Sequence, residues 1–434
     1  MGTTLRKKAK GIAWMLLLVY FASYLTRKNF NVMISAVAES MVSGGVFETL
    51  DAANTTLAIV SGALTVLYGL GQVANGIIGD KIKPQLMLTA GLVLASASNI
   101  AMFFCPDNYI PMAVIWGING FAHSMLWPPI VRLMATYLTS DEYGYAAVRV
   151  SWGSSIATIV LYLGCGALTS FMSWRYVLLV CAAGAVAILL IWLLTKDKLF
   201  TEPLLDIKKS EKSEGKKSSA LPLFVFVPIV LIMLGIILQG SLRDGVETWT
   251  PTILAGENEN LDRSLSIILT VVPAIFSMIS FSVFDLLHRK LFRNEVTCSA
   301  VIFLGATVFA FFIYLVSLTV TNATAATILY LFFISLLTGC MHGINLMLIT
   351  VVPKRFLRSG KVSTFSGILN ACTYVGSAVG VWFFAEIGGD GNWEVSMLSW
   401  IIIAAAGTAV CFAAVPLWKK FRRDYADLHD GTGN

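Results

Sequence analysis

Long apolar runs separated by short polar connections make up most of this 434-residue sequence. Each run has about 20 residues or more with few charges, the length that an α-helix needs to cross the hydrocarbon core of a bilayer. Of all residues 57% are hydrophobic and 13% are charged, against roughly 45–50% and 25% in soluble domains. The sequence therefore predicts an all-α membrane protein, and its composition excludes a soluble enzyme.

The apolar runs number about twelve, and one polar segment divides them into two sets of six. The predicted transmembrane spans are 11–38, 54–79, 84–105, 109–138, 143–170, 173–195, 221–250, 264–287, 296–320, 324–352, 362–387 and 393–418. The segment 196–220 is rich in Lys, Ser and Glu, which predicts a solvated linker. It separates an N-terminal half, 1–195, from a C-terminal half, 221–418, and a short tail, 419–434, follows.

Lys and Arg concentrate in the linker, at both ends of the chain and in every second connection. By the positive-inside rule this bias predicts that both termini are cytoplasmic. It also accounts for the net charge of +6 without a nucleic-acid partner. The basic N-terminus leads into the first apolar run without a small-residue cleavage site, so we expect a membrane helix there. The predicted location is the cell (inner) membrane, crossed many times.

The two halves share motifs at the same offset. A Gly-x-x-His string that ends at His123 in the fourth span recurs at His342 in the tenth. Trp174 at the start of the sixth span likewise recurs as Trp393 at the start of the twelfth. Two such repeats predict a transporter whose substrate site lies near the middle of the membrane, between the halves.

Three basic residues lie well inside predicted spans, where a charge costs several kcal/mol unless it faces water or a partner. Arg27 and Lys28 are in the first span and Arg243 is in the seventh. One guanidinium from each half could together bind a phosphate or carboxylate. For Arg243, neutralisation by Asp244 or Glu247 is an alternative. Lys28 points about 100° away from Arg27 around a helix, so it could serve packing or gating instead.

An acidic residue closes the second span, in Gly-Ile-Ile-Gly-Asp80-Lys81. This string resembles the loop motif of the major facilitator superfamily, Gly-x-x-x-Asp followed by a base, whose Asp pairs with a neighbouring helix in one conformation. The second half keeps the acid at Asp285. The resemblance predicts gating roles for Asp80, Lys81 and Asp285, and a solvated loop charge is the alternative.

Three further strings narrow the resemblance: Arg27-Lys-Asn-Phe, Trp127-Pro-Pro and Arg243-Asp-Gly. Together they resemble the organophosphate:phosphate antiporter family, which exchanges glycerol 3-phosphate or hexose phosphates for inorganic phosphate. The resemblance implies a fold of twelve transmembrane helices in two repeats and rocker-switch alternating access. It also implies that Arg27 and Arg243 bind the substrate phosphate.

Two positions depart from that family. Ile156 stands where the family has a substrate-site His, and Gln72 stands where it usually has a Lys. These departures remove a base and a cation from the expected cavity. Arg149 could restore a charge, although an arginine that extends to the lipid headgroups is the alternative.

His123 and His342 are candidates that the family does not supply. An imidazole within the membrane either hydrogen-bonds a neighbouring helix or titrates near neutral pH and couples transport to protons. Tyr24 and Asn345 could hydrogen-bond a sugar or glycerol hydroxyl. We include all four among the predicted substrate-binding residues.

The sequence thus predicts a carrier of a small organic anion, with inorganic phosphate or protons as the coupling ion. Alternatives are a proton-coupled symporter of carboxylates and a transporter-like sensor of a phosphate ester. We expect a monomer in a lipid bilayer and no cofactor. The seven cysteines are scattered through apolar segments, so we expect no metal site either. The sequence contains no nucleophile–base set that would suggest an enzyme.

Overall fold

The computed structural model describes residues 5–201, 203–204, 226–257, 269, 271–388 and 393–426. Within these ranges the regular structure is helical. The helices are α1 (Lys7–Val32), α2 (Ile34–Ser43), α3 (Leu50–Lys81), α4 (Pro84–Phe103), α5 (Tyr109–Ser124), α6 (Trp127–Tyr137), α7 (Ser140–Thr169), α8 (Trp174–Leu199), α9 (Phe226–Glu257), α10 (Val271–Lys290), α11 (Glu295–Thr319), α12 (Ala323–Asn345), α13 (Val352–Lys354), α14 (Val362–Gly388) and α15 (Glu394–Phe421). Two π-helical segments, Leu346–Val351 and Arg422–Ala426, follow α12 and α15.

Among the described residues, 11 helices are long and apolar enough to cross a membrane. The predicted span 109–138 is not one helix, because the chain breaks between α5 and α6 at Met125 and Leu126. Pro128 and Pro129 have no N–H to continue the α-helical hydrogen bonds, and their rings clash with the preceding turn. The remaining bonds there are short-range, such as Met125 N to Ala122 O at 3.1 Å.

Other predicted spans differ from the helices at their ends. The predicted span 11–38 is interrupted at Met33, between α1 and α2, and the span 324–352 ends in the π-helical segment. Parts of the spans 221–250 and 264–287 lie outside the described residues.

The chain divides into two compact units. Unit 1 comprises Met1–Asp206 with Lys361–Ile368, and unit 2 comprises Ile207–Gly360 with Leu369–Asn434. Most of the predicted linker, 196–220, lies outside the described residues, as does the end of the tail, 419–434. The division into two halves joined by this linker therefore stays a prediction.

Glycines bring the helices of each unit close together. In unit 1, a Cβ on Gly153 of α7 would lie 2.7 Å from the Leu17 carbonyl oxygen of α1. In unit 2, Gly240 of α9 packs directly on the backbone of Thr373 in α14. Small residues allow this backbone-to-backbone packing in membrane helices, where close van der Waals contact drives association.

Candidate functional site

Arg27 lies near the C-terminal end of α1 and is only 7% exposed. Its guanidinium carbon lies 4.3 Å from the ring centroid of Tyr24 and 4.8 Å from that of Tyr68 on α3. Lys28 is half-buried, and its Nζ lies 5.7 Å from the Tyr24 ring. The predicted residues Tyr24, Arg27 and Lys28 therefore lie together, and cation–π contacts position the guanidinium.

A buried asparagine network fixes the backbone of α1 on both sides of Arg27. Asn29 Nδ2 donates to Asn99 Oδ1 at 2.7 Å. The carbonyl oxygen of Thr26 accepts from Asn99 Nδ2 at 2.8 Å and from Asn119 Nδ2 at 2.9 Å. Because this network ties α1 to α4 and α5, helix packing sets the position of Arg27. The sequence alone does not indicate this role of Asn99, because a single polar residue in an apolar run forms no recognisable motif.

His123 at the end of α5 is 1% exposed. Its Nδ1 lies 3.1 Å from the hydroxyl oxygen of Ser23 on α1, so it hydrogen-bonds a neighbouring helix. Nearby on α1, the Tyr20 ring lies 5.0 Å from the Tyr24 ring and 4.9 Å from the Trp127 ring. The Trp-Pro-Pro string thus begins α6 beside Tyr20, whose ring also contacts Tyr24.

Gln72 on α3 is fully buried, and neither its amide nitrogen nor its amide oxygen has a hydrogen-bond partner among the described residues. A buried amide without partners is costly unless water or a ligand reaches it. Ile156 is half-buried on α7. These are the two positions where the sequence lacks the cation and the base of the family that it resembles.

Arg243 lies in α9 of unit 2, and its side chain is 12% exposed. Its Nε and Nη2 donate to the two carboxylate oxygens of Asp244 at 2.6 and 2.8 Å. The guanidinium thus forms a bidentate ion pair with the adjacent residue. One of the two neutralising partners suggested by the sequence is therefore in place, and an incoming anion would have to compete with Asp244.

His342 in α12 is half-buried and contacts α10. Its Nδ1 lies 3.2 Å from the Ser277 hydroxyl and 2.9 Å from the Thr338 carbonyl oxygen. Asn345 is the last residue of α12 and is half-buried, directly before the π-helical segment. Such segments interrupt the regular hydrogen bonds of a helix and frequently occur at functional sites.

Asp80 caps the start of α14. Its Oδ1 accepts from the Ser363 N–H at 2.8 Å, and its Oδ2 accepts from the N–H and hydroxyl of Thr364 at 3.0 and 2.6 Å. Gly76, one turn earlier, has only backbone of Ser363 and its neighbours against it. A carboxylate at a helix N-terminus satisfies free N–H groups and is stabilised by the helix dipole.

We expect Asp80→Asn to weaken this cap by about 1 kcal/mol, because the amide loses the charge and one acceptor. If the cap exists in only one state of the transport cycle, the ratio of states should change roughly fivefold. Labelling of reporter cysteines at each membrane surface would measure that change. Asp197→Asn is the control, because the side chain of Asp197 is 85% exposed. An identical labelling pattern in wild type and Asp80→Asn would contradict the gating role.

The other predicted gating residues have simpler surroundings. Asp285 pairs with Arg289 on its own helix, with Oδ2 2.7 Å from Nη2. Lys81 is the last residue of α3 and is exposed. Gating roles for both residues stay predictions.

A buried carboxylate that the sequence did not indicate lies in unit 2. Glu295 at the start of α11 is fully buried, and Arg355 and Arg422 donate to its oxygens at 3.0 and 3.1 Å. Trp418 Nε1 also donates to it at 3.1 Å. In the described ranges, no group of three or more His, Cys, Asp or Glu residues is arranged to hold a metal ion.

Comparisons with known proteins agree with this architecture. Residues 16–381 match the model of the Major Facilitator Superfamily. A probable hexose phosphate transport protein of Chlamydia trachomatis is 28% identical over 38% of this chain and 34% of its own length. A glycerol-3-phosphate transporter of Bacillus subtilis is 30% identical over 41% of this chain and 39% of its own length. The chain thus matches about a third of the length of these curated relatives.

The solved structure of a proton:xylose symporter, XylE, aligns with a TM-score of 0.73 over 95% of both chains. Its sequence is 14% identical, so the likeness concerns the fold alone. The fold class predicted from the apolar runs is confirmed by this alignment and by the family match, whereas the sidedness of the termini stays a prediction.

Proposed function

Because the chain belongs to the Major Facilitator Superfamily, a family of transporters and not of enzymes, we propose that it carries a small phosphorylated metabolite across the membrane in exchange for inorganic phosphate. Alternating access by a rocker-switch motion would move the solute. We place this monomeric, multi-pass protein in the cell (inner) membrane with both termini cytoplasmic.

The observation that carries the proposal is the environment of Arg27. Within the membrane a buried arginine is costly and is retained where it binds an ion or substrate. Tyr24 and Tyr68 hold this guanidinium by their ring faces, and a planar guanidinium can bind phosphate oxygens in bidentate fashion. We propose that Arg243 also contributes to substrate binding, after partial release from Asp244. Lys28, Tyr24 and Asn345 would complete the substrate contacts.

The second candidate function is proton-coupled symport of an organic anion. It is favoured by His123 and His342, each of which hydrogen-bonds a serine on another helix of its own unit. Protonation of either imidazole would alter that bond and the local charge. The third candidate, a sensor of phosphate esters, would bind the ligand without carrying it.

Uptake by proteoliposomes separates these functions. We expect labelled glycerol 3-phosphate to enter vesicles loaded with inorganic phosphate and to stay outside vesicles without internal phosphate. Uptake that needs a proton gradient instead of internal phosphate would indicate symport. Binding without uptake under either condition would indicate a sensor.

A further inference from the structure

Basic residues are concentrated at the end of unit 2 where α10 and α15 finish and α11 begins. Nη1 of Arg422 donates to the Arg293 carbonyl oxygen at 2.9 Å and to Oε2 of Glu295 at 3.1 Å. The first bond ties the connection 291–294 to the segment that follows α15, and the second ties that segment to the start of α11. The connection and the end of α15 therefore lie side by side.

Acidic residues neutralise only part of the positive charge at this end. Four arginines have an acidic partner: Arg289 with Asp285, Arg355 and Arg422 with Glu295, and Arg423 with Asp424. By contrast, the side chains of Lys290, Arg293 and Lys419 form no ion pair and no hydrogen bond among the described residues. All three are exposed. We call these three residues the basic rim, and their N–H groups are available to an external anion.

The basic rim borders apolar side chains on the surface of the unit. Leu291, between Lys290 and Arg293, is 68% exposed. On α15, Phe412 is 46% exposed and lies two turns before Lys419, on the same helix face. The helices α10, α11 and α15 are long and apolar enough to cross a membrane, so we expect their ends near the lipid headgroups. The rim thus combines cations with adjacent apolar surface.

A phospholipid suits such a surface better than a soluble phosphate. Exposed cations bind a free anion weakly, because water and salt screen the attraction. A lipid is already held in the membrane by its acyl chains, so its headgroup reaches the rim at a high effective concentration. The charge of the rim favours anionic headgroups, since each Lys or Arg near a membrane surface strengthens attraction to anionic lipids roughly fivefold.

We propose that the basic rim binds the headgroup of an anionic phospholipid. The lipid phosphate accepts two parallel N–H bonds from the guanidinium of Arg293, and Lys290 and Lys419 supply further positive charge. The backbone of Arg293 is held in place, because its carbonyl oxygen bonds Arg422 and the buried Glu295 binds the same guanidinium. The bound lipid thereby links the α10–α11 connection to the end of α15.

Native mass spectrometry of the full-length protein in detergent tests this proposal. Phosphatidylglycerol, which carries one negative charge, and phosphatidylcholine, which is neutral overall, are added in equal amounts with identical acyl chains. We expect wild type to retain more phosphatidylglycerol than phosphatidylcholine. The triple variant Lys290→Gln, Arg293→Gln and Lys419→Gln should retain roughly tenfold less phosphatidylglycerol, or lower still. Its retention of phosphatidylcholine should equal that of wild type.

A second triple variant, Lys7→Gln, Lys10→Gln and Lys83→Gln, is the matched control, because it removes three exposed positive charges from unit 1. It should retain phosphatidylglycerol as wild type does. Equal loss in both triple variants, or no loss in the rim variant, would overturn the proposal. Displacement of the lipid by an equal concentration of its deacylated headgroup, glycerophosphoglycerol, would also overturn it, because the rim would then be a site for soluble phosphates.

The rim variant should fold, because the three replaced side chains are exposed. Its melting temperature in detergent without added lipid should equal that of wild type. If it does not fold, Arg293→Gln alone carries the test and should retain roughly fivefold less phosphatidylglycerol. None of these measurements depends on solute transport, so their failure would leave the proposed function standing.

Discussion

Replacement of Arg27 by lysine is expected to weaken binding of inorganic phosphate roughly tenfold or more, a loss of about 1.4 kcal/mol. Lysine keeps the positive charge but presents a compact ammonium group instead of a planar fork. It also loses part of the stacking of Arg27 on Tyr24 and Tyr68. Inhibition of labelled glycerol 3-phosphate uptake by increasing phosphate would measure the change in affinity.

Arg243→Lys should have a similar effect for a second reason. The two N–H donors of Arg243 that bond Asp244 would also bond a phosphate, and lysine cannot hold both partners in this geometry. Arg423→Lys makes the same exchange at an exposed side chain and should leave the affinity unchanged. Wild-type phosphate affinity in both single variants, at normal expression, would contradict the proposed role of the two arginines.

Much of the fold could be predicted because a bilayer imposes a simple rule on sequence. Each spanning helix must satisfy its backbone internally and face lipid with apolar side chains, so its position follows from the apolar runs. The break before Trp127 also had a signal, since consecutive prolines cannot continue a helix. The interruption after Asn345 had none, because the π-helical residues 346–351 are apolar like the rest of the span.

Within the candidate site, the sequence could indicate the charged residues, because the energetic cost of a charge in an apolar run is evident from the neighbouring residues alone. Arg27 and Arg149 stand out as charges in apolar runs, wherever the rest of the chain folds. The partners of these residues could not be predicted in the same way. Asn99 approaches Thr26 across more than 70 positions, and that contact arises from the packing of α1 on α4. Asp80 could be predicted in part. Its motif indicated that it contacts a neighbouring helix, but not that it accepts hydrogen bonds from Thr364.

Glu295 shows this limit most clearly, since in the sequence it is an ordinary acid before an apolar run. Its burial depends on Arg355 and Arg422, which lie 60 and 127 positions further on. Asn294 begins the helix by accepting from the N–H groups of Val296 and Thr297. The start of α11 therefore carries its carboxylate into contact with two guanidinium groups and the Trp418 indole.

We expect Glu295→Ala to lower the free energy of unfolding by about 3–5 kcal/mol, because it leaves buried cationic groups without their partner. Glu295→Gln should cost less, since the amide oxygen can still accept the hydrogen bonds that Oε1 receives from Arg355 and Trp418. The seven cysteines are free and buried, so a thiol-reactive dye that becomes fluorescent on reaction would report unfolding on heating in detergent. Both variants should melt below wild type, with Glu295→Ala the lower.

Asp107→Asn is the matched control. It also removes a carboxylate from an arginine, but Asp107 is 45% exposed and its ion pair with Arg175 is accessible to solvent. Such pairs contribute about 0–1 kcal/mol, so its melting temperature should stay close to that of wild type. The comparison separates the effect of burial from the effect of charge. Each substitution removes one negative charge, but only the charge of Glu295 lies in the interior. Equal melting temperatures for Glu295→Ala and Asp107→Asn would show that the Glu295 cluster does not stabilise unit 2.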